Sequence, residues 1–269
     1  MAFINAEIKI STYGVTIPVS LYYPTDLPAE VGNKIKGVIT LLHGFSNTGS
    51  DWMMYTSAAR YAADNGYVLV APSYGNSFGL NMVYGAPYYT ILTEALPAQL
   101  RAIFHLPDER EKNFIAGLSM GGYAAMQIGL SLPQRYAAIG SFSAPLTPAT
   151  LLEDSKTDPA LLAMIRPVLG NEPELRDELD PMALVRRAAA LEEAERPAVF
   201  VSCGNQDAMM NLISMNQKFD ALAKTLPLRY AFKRWDGVHE FNFWDRSLAE
   251  FIGFIQNDGY GEKKCGDWR

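Results

Sequence analysis

The stretch Asn113-Phe114-Ile115-Ala116-Gly117-Leu118-Ser119-Met120-Gly121-Gly122-Tyr123-Ala124-Ala125 passes from an apolar strand pattern into a helical one through a serine flanked by glycines. Gly-x-Ser-x-Gly between a strand and a helix is the setting of a nucleophile elbow. The turn is so tight that the serine takes a strained backbone conformation. Gly117 and Gly121 remove the side chains that would collide there. The same turn puts Ser119 at a helix N-terminus, where free N–H groups and the helix dipole favour developing negative charge. An N-capping serine on a glycine-rich helix start is the plainer reading of five such common residues. The flanking strand and helix, with the extra Gly122, weigh against it, and Ser119 is the candidate nucleophile.

Outward from this segment, short apolar runs recur at Gly37–Leu42, Tyr67–Ala71, Ala137–Phe142, Ala198–Cys203 and Leu228–Trp235. Their continuity predicts strands covered on both faces, as in a parallel sheet between helices. Helical patterns fall between them at Asp51–Asn65, about Thr90–Phe104, Met120–Leu132, Met209–Leu226 and Phe241–Asn257, with Gly66 and Pro133 as stop signals. Strand and helix in alternation give an α/β doubly wound sheet. Glu7-Ile8-Lys9-Ile10 and Val15–Tyr23, joined at Tyr13-Gly14, predict an antiparallel hairpin at one edge. A polar, Pro-containing loop follows the hairpin. Residues 145–196 are helical in character and too long for a plain crossover. They read as a helical insertion in a single domain spanning 1–269, either covering the site or merely elaborating the crossover.

The chain has 269 residues, 49% of them hydrophobic and 19% charged, which is the balance of an ordinary globular protein. A net charge of -6 without any Lys/Arg run argues against a nucleic-acid partner. No apolar stretch reaches the roughly 18 residues of a membrane span. Residues 1–7 lack the basic start and apolar stretch of a secretory signal. Two cysteines, Cys203 and Cys265, make no disulfide framework, so a cytoplasmic location is the expectation. A homo-oligomer is compatible with this composition.

Three histidines are available as a base: His43, His105 and His239. His105 lies near a helix end and reads as a helix-terminal cation. His239 sits in Trp235-Asp236-Gly237-Val238-His239-Glu240, a loop between the last strand and the last helix. In parallel sheets such loops collect ligands and catalysis, which makes His239 the candidate base. The acid of such an elbow follows the serine and precedes the histidine in the chain. Asp207 does so, in the loop after Val199–Cys203. Its role would be to fix the imidazole tautomer and stabilise the imidazolium. Asp180, before Pro181, reads as a turn or cap, and Asp236 as a residue that shapes the His239 loop.

The oxyanion hole is expected from two backbone amides, that of Met120 after the nucleophile and one from Leu42-His43-Gly44-Phe45-Ser46. Gly44 lets the backbone approach the substrate, which leaves Phe45 as the second donor, with Gly44 or Ser46 as alternatives. His43 is expected to hold this loop through its ring nitrogens. Trp52, Tyr84, Tyr88, Tyr89 and Met209 are candidates for lining the pocket. No cluster of His and Cys has ligand spacing, so neither metal nor cofactor is expected.

The combination Leu-Leu-His-Gly, Gly-Leu-Ser-Met-Gly-Gly-Tyr, Cys-Gly-x-x-Asp and Asp-Gly-x-His-x-Phe-x-Phe-Trp resembles the esterase D-like putative esterase family, and within it the tributyrin esterases of bacteria. The resemblance runs from about Ile8 to Phe254 with the motifs in family order. It implies the α/β-hydrolase fold, an acyl-enzyme mechanism, and hydrolysis of small short-chain acyl esters by Ser119, Asp207 and His239. S-formylglutathione hydrolases of the same broad group typically carry Gly-Leu-Thr-Cys at the oxyanion loop and a histidine before the nucleophile. This chain instead has His43-Gly44-Phe45-Ser46 and Leu118. Feruloyl and acetylxylan esterases share the motifs too. A non-catalytic binding module on the same fold would have lost a triad residue, and all three are present.

Overall fold

The computed structural model describes residues 1–26 and 35–257; Cys265 and much of the Pro-containing loop lie outside them. The strands are β1 (Ala2–Ile10), β2 (Val15–Tyr23), β3 (Gly37–Leu42), β4 (Tyr67–Pro72), β5 (Asn113–Leu118), β6 (Ala138–Phe142), β7 (Ala198–Ser202) and β8 (Tyr230–Lys233). They form one sheet in the order β1-β2-β4-β3-β5-β6-β7-β8. The β1–β2 and β2–β4 pairs are antiparallel and every pair from β4 onward is parallel.

The unbroken apolar runs follow from burial on both faces. In β3, Val38 and Leu42 face one buried cluster while Ile39 and Leu41 face the other. The same alternation separates Val199 and Val201 from Phe200 in β7. One face is covered by α4 (Leu96–Phe104), α5 (Met120–Ser131) and α8 (Pro181–Ala189), the other by α1 (Asp51–Tyr55), α2 (Ala58–Asn65) and α10 (Phe241–Gln256). The hairpin expected at one edge is β1–β2, with Gly14 at φ 65° closing its turn. There the left-handed backbone suits glycine.

Several helices are more broken than their patterns suggest. Asp51–Asn65 splits at Thr56-Ser57, because Asp245 of α10 accepts hydrogen bonds from the Ser57 amide and the Tyr61 hydroxyl and so fixes a new helix start. The next helix begins earlier than expected, as α3 (Tyr88–Thr90), then widens to a π-helical turn over Ile91–Ala95 before α4. Pro97 has no N–H for the Thr93 carbonyl, which takes the Arg135 guanidinium instead. Between β6 and β7 lie α6 (Pro148–Ser155), α7 (Pro159–Leu169) and α8. The segment from Met209 opens as a single 3-10 turn with Met210 and Asn211 left-handed, so α9 (Leu212–Ala223) starts late. Among the described residues no helix is long and apolar enough to cross a membrane.

Candidate active site

The parallel strands point their C-terminal ends the same way, so the loops after β3, β5, β7 and β8 gather at one edge of the sheet. The register aligns Leu42 with Gly117, Leu118 with Phe142, Phe142 with Ser202 and Ser202 with Lys233. Whatever follows these residues is therefore brought together.

After β5 the chain turns into α5 at Ser119, with φ 53° and ψ −120°. A serine with this backbone is strained and persists only where its surroundings over-determine it. They do so here by contact. A Cβ on Gly117 would lie 2.2 Å from the Gly121 carbonyl oxygen, and one on Gly121 would lie 2.2 Å from that of Leu42. The Ser119 amide donates to the Phe142 carbonyl, and its own carbonyl accepts from Gly122 and Tyr123 at the start of α5.

His239 Nε2 lies 2.9 Å from Ser119 Oγ, and His239 Nδ1 lies 2.9 Å from Asp207 Oδ2. Asp207 is buried, and its second oxygen accepts from the Met209 amide at 3.2 Å. An Nδ1–H donating to Asp207 leaves Nε2 free to accept the serine proton, the arrangement in which a hydroxyl can be made nucleophilic. Trp244 of α10 holds the imidazole edge-on, ring centroids 4.9 Å apart. His105 is far from this role. It ends α4 as a left-handed cap at φ 51°.

The two loops carrying Asp207 and His239 are tied to one another. Asn205 N–H donates to the Trp235 carbonyl and Gln206 N–H to that of Gly237, while the Gln206 side chain accepts from the Gly237 amide at 2.7 Å. Asp236 Oδ1 accepts from the side chains of Asn205 and Gln206. Those hydrogen bonds hold its carboxyl below the usual range. Asp236 thus shapes the loop, and Asp180 caps α8 by accepting from the Met182 amide. Cys203, buried beneath the same loop, has its thiol pushed up to about 12 by burial and then by the nearby Asp207 charge. It is a packing residue, not a thiolate.

Across the site, the loop after β3 is held by His43. Its Nδ1 donates to the Gly44 carbonyl at 2.8 Å, its Nε2 accepts from the Tyr74 amide at 3.1 Å, and the Tyr74 hydroxyl donates to the His43 carbonyl. Burial lowers the His43 pKa to about 4, so the ring is neutral and both nitrogens are committed. Among the described residues no protein acceptor takes the amide of Phe45 or of Met120. A cavity of about 240 Å³ opens beside Ser119 and His239, lined also by Gly44, Phe45, Met120 and Met209. Among the described residues no group of three or more His, Cys, Asp or Glu side chains could hold a metal.

Four of the expected pocket residues lie elsewhere. Trp52 is wholly buried under β3, and its indole N–H donates to the Leu42 carbonyl. Tyr84 is exposed, its loop docked on α7 through Val83 and Tyr84 amides that donate to the Val168 and Pro167 carbonyls. Tyr88 lies against Gly75, and Tyr89 lines a separate cleft. The cavity is walled instead by Phe78, Pro145, Leu151, Leu161, Met164 and Trp244. Phe78 sits in the same post-β4 loop as Tyr84, ahead of α3 with Tyr88 and Tyr89. A bulky residue at φ 55° there is a backbone feature that side-chain type does not reveal.

Known proteins resemble this chain over most of its length. The model of the family described as "Putative esterase" matches residues 10–255. An acetyl esterase of Caldicellulosiruptor saccharolyticus is 27% identical over 256 residues, 91% of this chain and 94% of its own length. The Staphylococcus aureus fluorophosphonate-binding serine hydrolase FphF, solved with substrate bound, superimposes with a TM-score of 0.81 at 28% identity, over 96% of this chain and 99% of its own. The S-formylglutathione hydrolase FrmB of the same organism gives 0.78 at 29% identity, over 94% and 98%. The chain therefore belongs to the "Putative esterase" family and is a carboxylic ester hydrolase, a serine hydrolase of the α/β-hydrolase fold.

Proposed function

We propose that the protein is a carboxylesterase of short-chain acyl esters with Ser119 as nucleophile, His239 as base and Asp207 as acid. The observation that carries this reading is the unbroken pair of 2.9 Å contacts from Asp207 through His239 to Ser119 Oγ. Ser119 Oγ attacks the ester carbonyl while its proton passes to His239 Nε2, and Asp207 stabilises the imidazolium. The carbonyl oxygen, now negative, takes the two uncommitted amides of Phe45 and Met120. Each such donor contributes roughly 3 kcal/mol to the transition state. The collapsing intermediate expels the alcohol, which takes the proton from His239, and water then releases the acid by the same steps in reverse. We read residues 1–269 as one domain whose helices α6 and α7 cover the acyl site. The free thiol of Cys203 suits the reducing cytoplasm.

A second reading is an S-formylglutathione hydrolase, favoured by the name of the S. aureus relative. The two readings differ in substrate, not in chemistry. Labelling with a fluorophosphonate, then kcat/KM for p-nitrophenyl acetate and butyrate beside S-formylglutathione, tests both. The expected result is one label per chain, lost in Ser119→Ala, with the oxygen esters preferred. A label that survives Ser119→Ala overturns the nucleophile, and a strong preference for the thioester overturns the substrate class.

A further inference from the structure

The cavity beside Ser119 shares part of its wall with a second one. Phe78, Pro145 and Leu151 line it and also line a second cavity of about 40 Å³ further beneath the helical cover. The remaining walls of the second cavity are apolar or aromatic side chains, Ile165 of α7 and Tyr123 of α5 among them. Such a space suits hydrocarbon and offers almost nothing to a polar group. The three shared residues therefore stand as a wall between two compartments of one recess. Phe78 has a further mark of constraint. It is held at φ 55°, which is costly for a bulky residue, with its ring 6.4 Å from Phe45 on the oxyanion side and 6.0 Å from Tyr123 on the other.

The chemistry assigns the direction of each half of an ester. The departing alcohol must lie beside His239 to receive its proton, and that side is open, with Val238 and Met209 exposed. The acyl chain takes the opposite, covered side, toward Phe78 and Leu151. We infer that Leu151, with Phe78 and Pro145, is the wall that sets acyl chain length, and that the second cavity is an extension of the acyl site which this wall keeps closed. This rests on ester hydrolysis at Ser119.

The test compares the protein with Leu151→Ala, the milder Leu151→Val, and Leu151→Ala combined with Ile165→Phe, which refills the second cavity from a side chain that does not line the first. With p-nitrophenyl esters from acetyl to dodecanoyl, Leu151→Ala is expected to raise the octanoyl-to-butyryl ratio of kcat/KM at least tenfold. Leu151→Val should raise it less, and Ile165→Phe should return it toward the starting value. Circular dichroism identifies a variant that has not folded, in which case Leu151→Val decides. A folded variant with an unchanged ratio overturns the wall. The second measurement is independent of turnover: calorimetric binding of straight-chain carboxylates to Ser119→Ala, with and without Leu151→Ala. Affinity should stop rising at about butyrate while Leu151 is present and continue to octanoate once it is removed. Failure of every variant to hydrolyse any ester would end the esterase reading, and the carboxylate series would still decide the wall. A gain past butyrate with Leu151 in place, or none after its removal, overturns it.

Discussion

Gly204 and Gly237 stand back to back: a Cβ on Gly204 would lie 2.2 Å from the Gly237 carbonyl oxygen. These glycines let the loop carrying Asp207 close on the loop carrying His239. Without that approach, the 2.9 Å contact between Asp207 and His239 has no support. Gly204→Ala must move backbone, not the end of a flexible side chain. A displacement near 1 Å in a catalytic constellation can cost about 100-fold in rate. We expect Gly204→Ala to lower kcat by about that factor with KM little changed. Unchanged kcat in a folded variant would show that the two loops are held by other means.

The two aspartates of this region are expected to separate cleanly on substitution. Asp207 is buried and contacts the imidazole, whereas Asp236 is exposed and accepts hydrogen bonds from Asn205 and Gln206. Asp207→Asn should keep the fold, present the wrong hydrogen-bonding partner to Nδ1 and lower kcat by about 10⁴-fold. Asp236→Asn keeps an acceptor oxygen for the same two amides and should change kcat only a few-fold. The reverse order of damage would move the role of acid from Asp207 to Asp236.

How far the sequence carried these assignments depends on where each residue sits. The meeting of Ser119, Asp207 and His239 was legible because each follows an apolar run that reads as a strand, and a parallel sheet gathers its strand ends along one edge. The elbow glycines were legible because their contacts are local and steric. Trp52 was misread as a pocket residue. In chain terms it lies just after the His43-Gly44-Phe45 loop, but α1 turns it inward, where its indole N–H donates to the Leu42 carbonyl at the end of β3. Tyr84 was misread for a related reason. Its loop is drawn to the end of α7 by two backbone hydrogen bonds, a contact made across many intervening residues. Leu151, Leu161 and Met164 could be read as helical but not as walls of the site. No periodicity shows which face of an inserted helix meets a distant loop. Phe78 was passed over for its tyrosine neighbours because its left-handed backbone depends on tertiary packing.

The last prediction concerns His43 and pH. In the folded protein its Nδ1 already carries a proton, donated to the Gly44 carbonyl, and its Nε2 accepts from the Tyr74 amide, so a second proton can enter only by displacing that amide. Its folded pKa is about 4, lowered by burial, against about 6.5 for an exposed histidine. Between these values the unfolded chain binds a proton that the native state does not. The stabilisation from a neutral His43 is thus complete above pH 6.5 and is lost as pH falls toward 4. A difference of about 2.5 units corresponds to about 3 kcal/mol at most. His43→Gln removes the titration and keeps a side chain able both to donate and to accept. Urea unfolding at pH 7, 6 and 5 should show stability falling more steeply in the wild type than in His43→Gln. Because the ring stays neutral in the native state until pH approaches 4, the loop that carries the Phe45 amide should keep its shape through pH 5, and kcat of the folded wild type and of His43→Gln should follow the same pH profile over this range. Parallel stability curves for the two proteins would mean that His43 is protonated in the native state and that the neutral, two-sided clasp on Gly44 and Tyr74 is wrong.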